Sequence, residues 1–235
     1  MSTPRDTVLL DVDGTLADTT YHHAIAWARA LAALDLHPPL WQVHRAIGMG
    51  GDRLVAAVAG EEAEREHGDA ARDGWERAYR DLLPEVVLLP GARELVLALA
   101  EQGLRVGLAT SGLSVFTDHV LELLDLPGGT LAAVTSSDQA DRSKPAPDIL
   151  AAALRDAGGT SAVVVGDTPY DVAAAARMGA PCVTVRTGGF GAAELEAAGA
   201  ALVVESVADL VHTDWDRLLA TTVPEGAEET DAPLP

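Results

Sequence analysis

A short apolar run, Val8-Leu9-Leu10, stops abruptly at Asp11-Val12-Asp13-Gly14-Thr15-Leu16. The run reads as a buried parallel strand. Asp11 and Asp13 are two residues apart, so an extended chain points both carboxylates the same way. Two such groups repel each other unless a cation lies between them or one keeps its proton. Either condition describes a reactive site at the carboxyl edge of an open α/β sheet, where such folds place ligands. The other reading of the same residues is an acidic turn after a strand, helped by Gly14. The remainder of the chain decides between them.

Between Asp18 and Leu83 the pattern is helical throughout. Asp18 or Thr19 could cap a helix over 21–34, broken by His37-Pro38-Pro39. Further helices are expected over 40–47, 52–59 and 61–83, with Gly48-Met49-Gly50-Gly51 as a loop between the first two. Strand and helix then alternate: helix 92–102, strand 104–109 ending in Thr110-Ser111-Gly112, helix 114–124 and strand 132–135. Lys144-Pro145-Ala146-Pro147-Asp148 opens a helix to Ala157, and strand 162–165 ends in Gly166-Asp167-Thr168-Pro169-Tyr170-Asp171. A small-residue helix to Met178, strands 182–185 and 201–204, and a closing helix 209–219 complete the series. Repeated βα units imply a doubly wound parallel sheet with helices on both faces. The organisation expected is an α/β core over 1–17 and 85–221 and a helical domain over 18–84. An acidic tail over 222–235, with three prolines, is expected to be disordered. In a parallel sheet the polar clusters at Asp11/Asp13, Thr110/Ser111 and Asp167/Asp171 converge on one edge.

Composition restricts what that edge can bind. The 235 residues carry 16 Lys+Arg against 36 Asp+Glu, a formal charge of −20. Such a surface disfavours nucleic acid and anionic membranes, and a phosphate site on it needs a local cation. Cys182 is the only cysteine, which excludes an intrachain disulfide and a cysteine-based zinc cluster. No apolar run approaches membrane-spanning length, and 1–7 lacks an apolar signal segment. A cytoplasmic protein, monomeric or homodimeric, is the expectation.

Asp-x-Asp-Gly-Thr-Leu, then Thr-Ser at a strand end, then Lys-Pro-Ala-Pro-Asp, then Gly-Asp-Thr-x-x-x-Asp together resemble the haloacid dehalogenase superfamily. The resemblance runs from about Val8 to Val204 and is similar to the branch holding phosphoglycolate phosphatases and β-phosphoglucomutases, with a Rossmann-like core and a helical cap. It implies Asp11 as a nucleophile that forms an aspartyl-phosphate, and Asp13 as general acid and then base. It implies Mg²⁺ held by Asp11, the Asp13 carbonyl and Asp167. Asp171 would lie behind them, holding a metal water or Lys144. Thr110, Ser111 and Gly112 would bind the phosphoryl oxygens of a small phosphorylated metabolite, and Lys144 would supply positive charge. Neighbouring carboxylates are expected to split their pKa values, one ionised and one able to carry a proton.

The cap is less legible. Its glycine loop around Gly50 is expected to close over substrate. His22, His23, Arg45 and Arg53 are within reach of it, the two histidines more in keeping with structural roles on a helix surface. Gly50-Gly51-Asp52-Arg53 departs from the mutase pattern of an arginine just after the loop glycine, and Gly166-Asp167-Thr168 departs from its Glu-Asp pair. Both departures favour hydrolysis over a phosphosugar mutase, and Asp13 argues against dehalogenation. A non-catalytic regulatory protein on the same scaffold is the remaining alternative.

Overall fold

The computed structural model describes residues 6–139 and 142–220. The expected disordered tail, 222–235, lies outside the described residues. Six parallel strands form one sheet in the order β3-β2-β1-β4-β5-β6. They are β1 (Thr7–Leu10), β2 (Arg105–Ala109), β3 (Ala133–Thr135), β4 (Ala162–Gly166), β5 (Cys182–Val185) and β6 (Leu202–Val204). The order reverses between β1 and β4, which makes their carboxyl ends the switch point of the sheet.

The side chains of β1 show why the run is apolar on both faces. Val8 and Leu10 enter one core layer with Val163, Val165, Val106 and Leu108. Leu9, pointing the other way, enters a second with Val164 and Cys182. The first layer is closed by α5 (Ala92–Glu101), α6 (Ser114–Leu124) and α10 (Trp215–Leu219). The second is closed by α7 (Asp148–Asp156) and α8 (Pro169–Arg177). Leu10 pairs with both Leu108 and Val165, so the polar residues that follow each strand emerge at one level. A slip of one residue would turn every side chain of β1 to the opposite layer.

Of the five α-helices between β1 and β2, the first four form the insert: α1 (Thr20–Ala32), α2 (Leu40–Arg45), α3 (Gly51–Ala59) and α4 (Glu61–Leu82). They have an apolar cluster of their own, built on Trp27, Leu31, Val43, Leu54 and Val55. No helix among the described residues is long and apolar enough to cross a membrane.

Three local expectations are corrected. The helix read as opening at Lys144 begins at Asp148, because the residues before Pro145 and Pro147 are biased away from helical backbone. The closing helix 209–219 is two pieces, a 3₁₀ turn Val207–Leu210 and α10. Asp214 ends the gap by accepting the Arg217 N–H as an N-cap. A short helix, α9 (Ala192–Ala197), stands where none was expected.

Candidate active site

Asp11 continues β1, its N–H donating to Val165 O at 2.9 Å. Its carboxylate is buried against the Lys144 ammonium, with which it forms an ion pair. Lys144 also lies 2.7 Å from Asp171 Oδ1, and both residues are 1% exposed. Burial alone would lower the Lys144 pKa, but Asp11 and Asp171 outweigh it and hold the amine charged. Asp171 divides its two oxygens. Oδ2 accepts from the Thr168 N–H at 3.1 Å and the Thr168 hydroxyl at 2.6 Å, a capping box at the start of α8. Oδ1 is left for Lys144.

Asp167, 1% exposed, completes the group. Its Oδ1 accepts from the Thr15 hydroxyl at 3.1 Å, while its buried Oδ2 has no hydrogen-bond partner. That oxygen faces Gly14 and Gly188, where a Cβ on either glycine would collide with it. One ligand oxygen from each of Asp11, Asp167 and Asp171 fits within a span of 4.8 Å. An all-oxygen carboxylate set with an orphaned buried oxygen in a side-chain-free cradle fits a hard divalent cation such as Mg²⁺. Burial, then Asp171 and Asp11, raise the Asp167 pKa well above the usual carboxylate range, so without a cation the cluster favours a proton.

Asp13 meets different surroundings. Its Oδ1 accepts from the Thr19 hydroxyl at 2.8 Å and lies 3.0 Å from His23 Nε2; its Oδ2 accepts from the Thr110 hydroxyl at 3.1 Å. The Trp75 indole N–H donates to His23 Nδ1 at 3.3 Å. That bond makes Nδ1 the acceptor and leaves the proton on Nε2, aimed at Asp13. His23 is also stacked on Tyr79, ring centroids 4.0 Å apart. Burial pushes Asp13 up, but His23, Thr19 and Thr110 together hold it at about 2. Asp11 is pushed up to about 7 by burial and by Asp171 and Asp13, against the pull of Lys144. The two carboxylates do split, but with the sign opposite to the one the assigned roles implied: the anion falls on Asp13 and the proton on Asp11. Burial raises both groups; the charge and hydrogen bond of His23, with Thr19 and Thr110, overcome it on Asp13, whereas on Asp11 the like charges of Asp171 and Asp13 offset much of Lys144. A divalent cation beside Asp11 would pull it back down.

These residues border a cavity of about 60 Å³ whose wall includes Asp11, Asp13, His23, Thr110, Ser111 and Gly112. The Thr110 hydroxyl gives its proton to Asp13 and accepts the Gly112 N–H at 2.9 Å, so it organises the loop as well as bordering the cavity. Ser111 Oγ is buried and without a partner. Gly48, Met49 and Gly51 line the cavity; Gly50 instead faces the Ser143 side chain. Arg45 is drawn elsewhere. Its guanidinium pairs with Glu194 of α9 and lies 4.5 Å from the Phe190 ring centroid. His23, expected on a helix surface, is 6% exposed and is the partner of Asp13. Sequence reasoning did not single out Trp75, Thr15 or Gly188, whose roles come from contacts across long sequence separations. The aromatic residues of α4 were the available signal, since Trp75 and Tyr79 recur at helical spacing in a chain with 4% aromatics.

Comparison with known proteins places this arrangement. The chain is 32% identical over 213 residues to a phosphoglycolate phosphatase of Cupriavidus necator, covering 88% of this chain and 92% of that one. It is 33% identical over 233 residues to a phosphoglycolate phosphatase of Rhodospirillum rubrum, covering 91% and 95%. Among solved structures, a hydrolase from Pseudomonas syringae superposes with a TM-score of 0.82 at 33% identity, over 87% of this chain and 95% of that one. Residues 5–179 match the model of the haloacid dehalogenase-like hydrolases, and the chain belongs to that family.

Proposed function

We propose that this hydrolase is a Mg²⁺-dependent phosphatase that cleaves a small phosphomonoester through an aspartyl-phosphate on Asp11. The observation that carries the reading is the meeting of a buried Lys144–Asp11 ion pair, the Asp167 oxygen without a partner and the Asp13 network at one sheet edge. When bound to the carboxylates of Asp11 and Asp167, with the Asp13 carbonyl, Mg²⁺ would neutralise charge on the phosphoryl oxygens. Lys144 holds Asp11 in place and adds positive charge that a chain of net charge −20 otherwise lacks. Asp13, an anion at rest, first takes a proton from the singly protonated phosphate ester and passes it to the leaving oxygen as Asp11 attacks phosphorus. Asp13, again an anion, then takes a proton from the water that cleaves the acyl phosphate. Its resting state suits the second step, and His23, Thr19 and Thr110 are the groups that set the proton's affinity for it. The Ser111 hydroxyl, buried and unpartnered, is available to the phosphoryl oxygens.

The helices over 18–84 serve in this reading as a cap domain on a core over 1–17 and 85–221, shielding the site from water. The cavity wall holds no Lys or Arg among the described residues, Arg72 of the adjoining cleft is engaged by Glu64 and Asp69, and Arg45 is paired with Glu194, so both of these arginines, which could grip a mutase's second phosphate, are already committed. Hydrolysis is favoured for that reason. The acidic surface and the absence of an apolar spanning segment support a cytoplasmic setting. The test is release of phosphate from an aryl phosphate with and without EDTA. Metal-independent turnover, or an Asp11→Ala protein as active as the parent, would overturn the reading.

A further inference from the structure

Beyond the small cavity lies a larger cleft of about 330 Å³ that shares three wall residues with it, Gly51, Trp75 and Ser111. A phosphoryl group held beside Asp11 and Ser111 would therefore direct its leaving group into this cleft, between α3, α4 and the core loops. The charge there is negative. Asp52, Asp73 and Glu76 line it, Glu76 already paired with Arg80 at 2.6 Å, and Arg72 is the one cation in its wall among the described residues. Arg72 is already engaged: its guanidinium donates to Glu64 and Asp69, each at 2.9 Å, and to Gly51 O at 3.1 Å. The rest of the polar wall is hydroxyl, from Ser111, Ser137 and Ser143. Carboxylates and serines accept hydrogen bonds from hydroxyl or ammonium groups. A carboxylate in the same place would face its own charge with no uncompensated cation to meet it.

We propose that the leaving-group cleft selects phosphomonoesters of non-anionic, hydrogen-bond-donating alcohols and discriminates against those whose alcohol carries a carboxylate. The specificity-determining residues are Asp52 and Asp73. The inference rests on the phosphatase reading and narrows its substrate class. It also separates this chain from the substrate in the names of its phosphoglycolate phosphatase relatives.

A matched set of two-carbon esters tests it: 2-hydroxyethyl phosphate, O-phosphoethanolamine and 2-phosphoglycolate differ only in the terminal group. With an aryl phosphate establishing that the protein is active, kcat/KM for each of the first two should exceed that for 2-phosphoglycolate by about tenfold or more, the effect of about 1.4 kcal/mol of like-charge opposition. In the Asp52→Asn/Asp73→Asn protein that ratio should shrink by about threefold or more, the direction expected when like-charge opposition is removed. Turnover of 2-phosphoglycolate at a rate equal to or above the other two overturns the proposal and leaves the phosphatase reading standing. If the aryl phosphate is not cleaved, the phosphatase reading has failed instead. Calorimetric binding of the three esters to the Asp11→Asn protein then decides the cleft separately. Weakest binding of 2-phosphoglycolate supports the proposal. Binding of it as tight as the others, or no binding of any, overturns it.

Discussion

Asp11 and Asp13 leave the same strand end two residues apart, yet they answer to opposite halves of the molecule. Asp11 is held by the core: its partner Lys144 precedes α7, and Lys144 is held in turn by Asp171 of α8. Asp13 is held largely by the helical insert: Thr19 immediately precedes α1, His23 is on it, and Trp75 on α4 orients the imidazole. The difference teaches that adjacent carboxylates are given separate chemistry by whichever element supplies donors, not by their own position on the strand. It also divides labour, since the core fixes the group that would attack phosphorus and the insert sets the proton affinity of the group beside it.

The largest effect is expected at Asp11 itself. Asp11→Asn should lower turnover of an aryl phosphate by ~10³-fold or more in steady-state assays, because nothing else at the site can take the phosphoryl group. Removing the other half of the core pair should cost folding. Lys144→Met leaves Asp11 and Asp171 buried without their cation, and a loss of about 3–5 kcal/mol in urea unfolding is expected. A loss below about 1 kcal/mol, the range of exposed pairs, would break the contrast between a core-held Asp11 and an insert-held Asp13.

On the other side of the comparison, His23→Ala should reduce kcat by about 10–100-fold, in keeping with a hydrogen bond to a charged group worth about 1.5–3 kcal/mol. Asp13 would lose the side chain that does most to hold its pKa at about 2, so the acid limb of the pH–rate profile should move to higher pH. His23→Gln, which can still donate, should restore part of both. An unmoved limb would show that the insert does not govern Asp13.

The pH dependence of stability sharpens the contrast further. In metal-free protein Asp11 sits at about 7, above its usual carboxylate value. The folded state then binds the proton more tightly than the unfolded chain, so this contribution is present at low pH and is lost as pH rises toward 7. Asp167 is raised and acts in the same direction. Asp13, lowered to about 2, acts oppositely, stabilising above the unfolded value and losing that contribution as pH falls toward 2. Thermal melts with and without Mg²⁺ should show a larger shift at about pH 8 than at about pH 5.5, where the cation competes with protons. The smallest effect belongs to the Arg45–Glu194 pair, which is about a third exposed. Glu194→Gln should cost ~0.2–1 kcal/mol and leave aryl phosphate turnover within about twofold.

The strands were legible because each buried run is short, apolar and cut off by polar residues; their order in the sheet, set by pairing across long separations, was not. Those interruptions also marked Asp11, Asp13, Thr110, Lys144, Asp167 and Asp171, which the structure brings together at one sheet edge. Local patterns carried less where the partner is remote. Thr19 read as a helix cap, yet its hydroxyl goes to Asp13. His23 looked like one of a surface pair because α4 is far along the chain, and its burial depends on Trp75 and Tyr79. Arg45 had the charge and the neighbourhood for substrate, and only the placement of α9 gives it Glu194. The sign of the carboxylate split was equally hidden, since it turns on partners from α1 and its cap, the end of β2 and the loop before α7, far apart along the chain.

The cradle at Asp167 carries one more consequence. Its walls at Gly14 and Gly188 are main chain, and the Thr187 hydroxyl ties the two segments together through Gly14 O. Long side chains can swing aside to admit a bigger guest, whereas peptide planes anchored at both ends resist spreading. Were a cation held there, its permitted radius would be written into the path of the polypeptide itself, and an alanine at Gly14 or Gly188 would trespass on it before any carboxylate was touched.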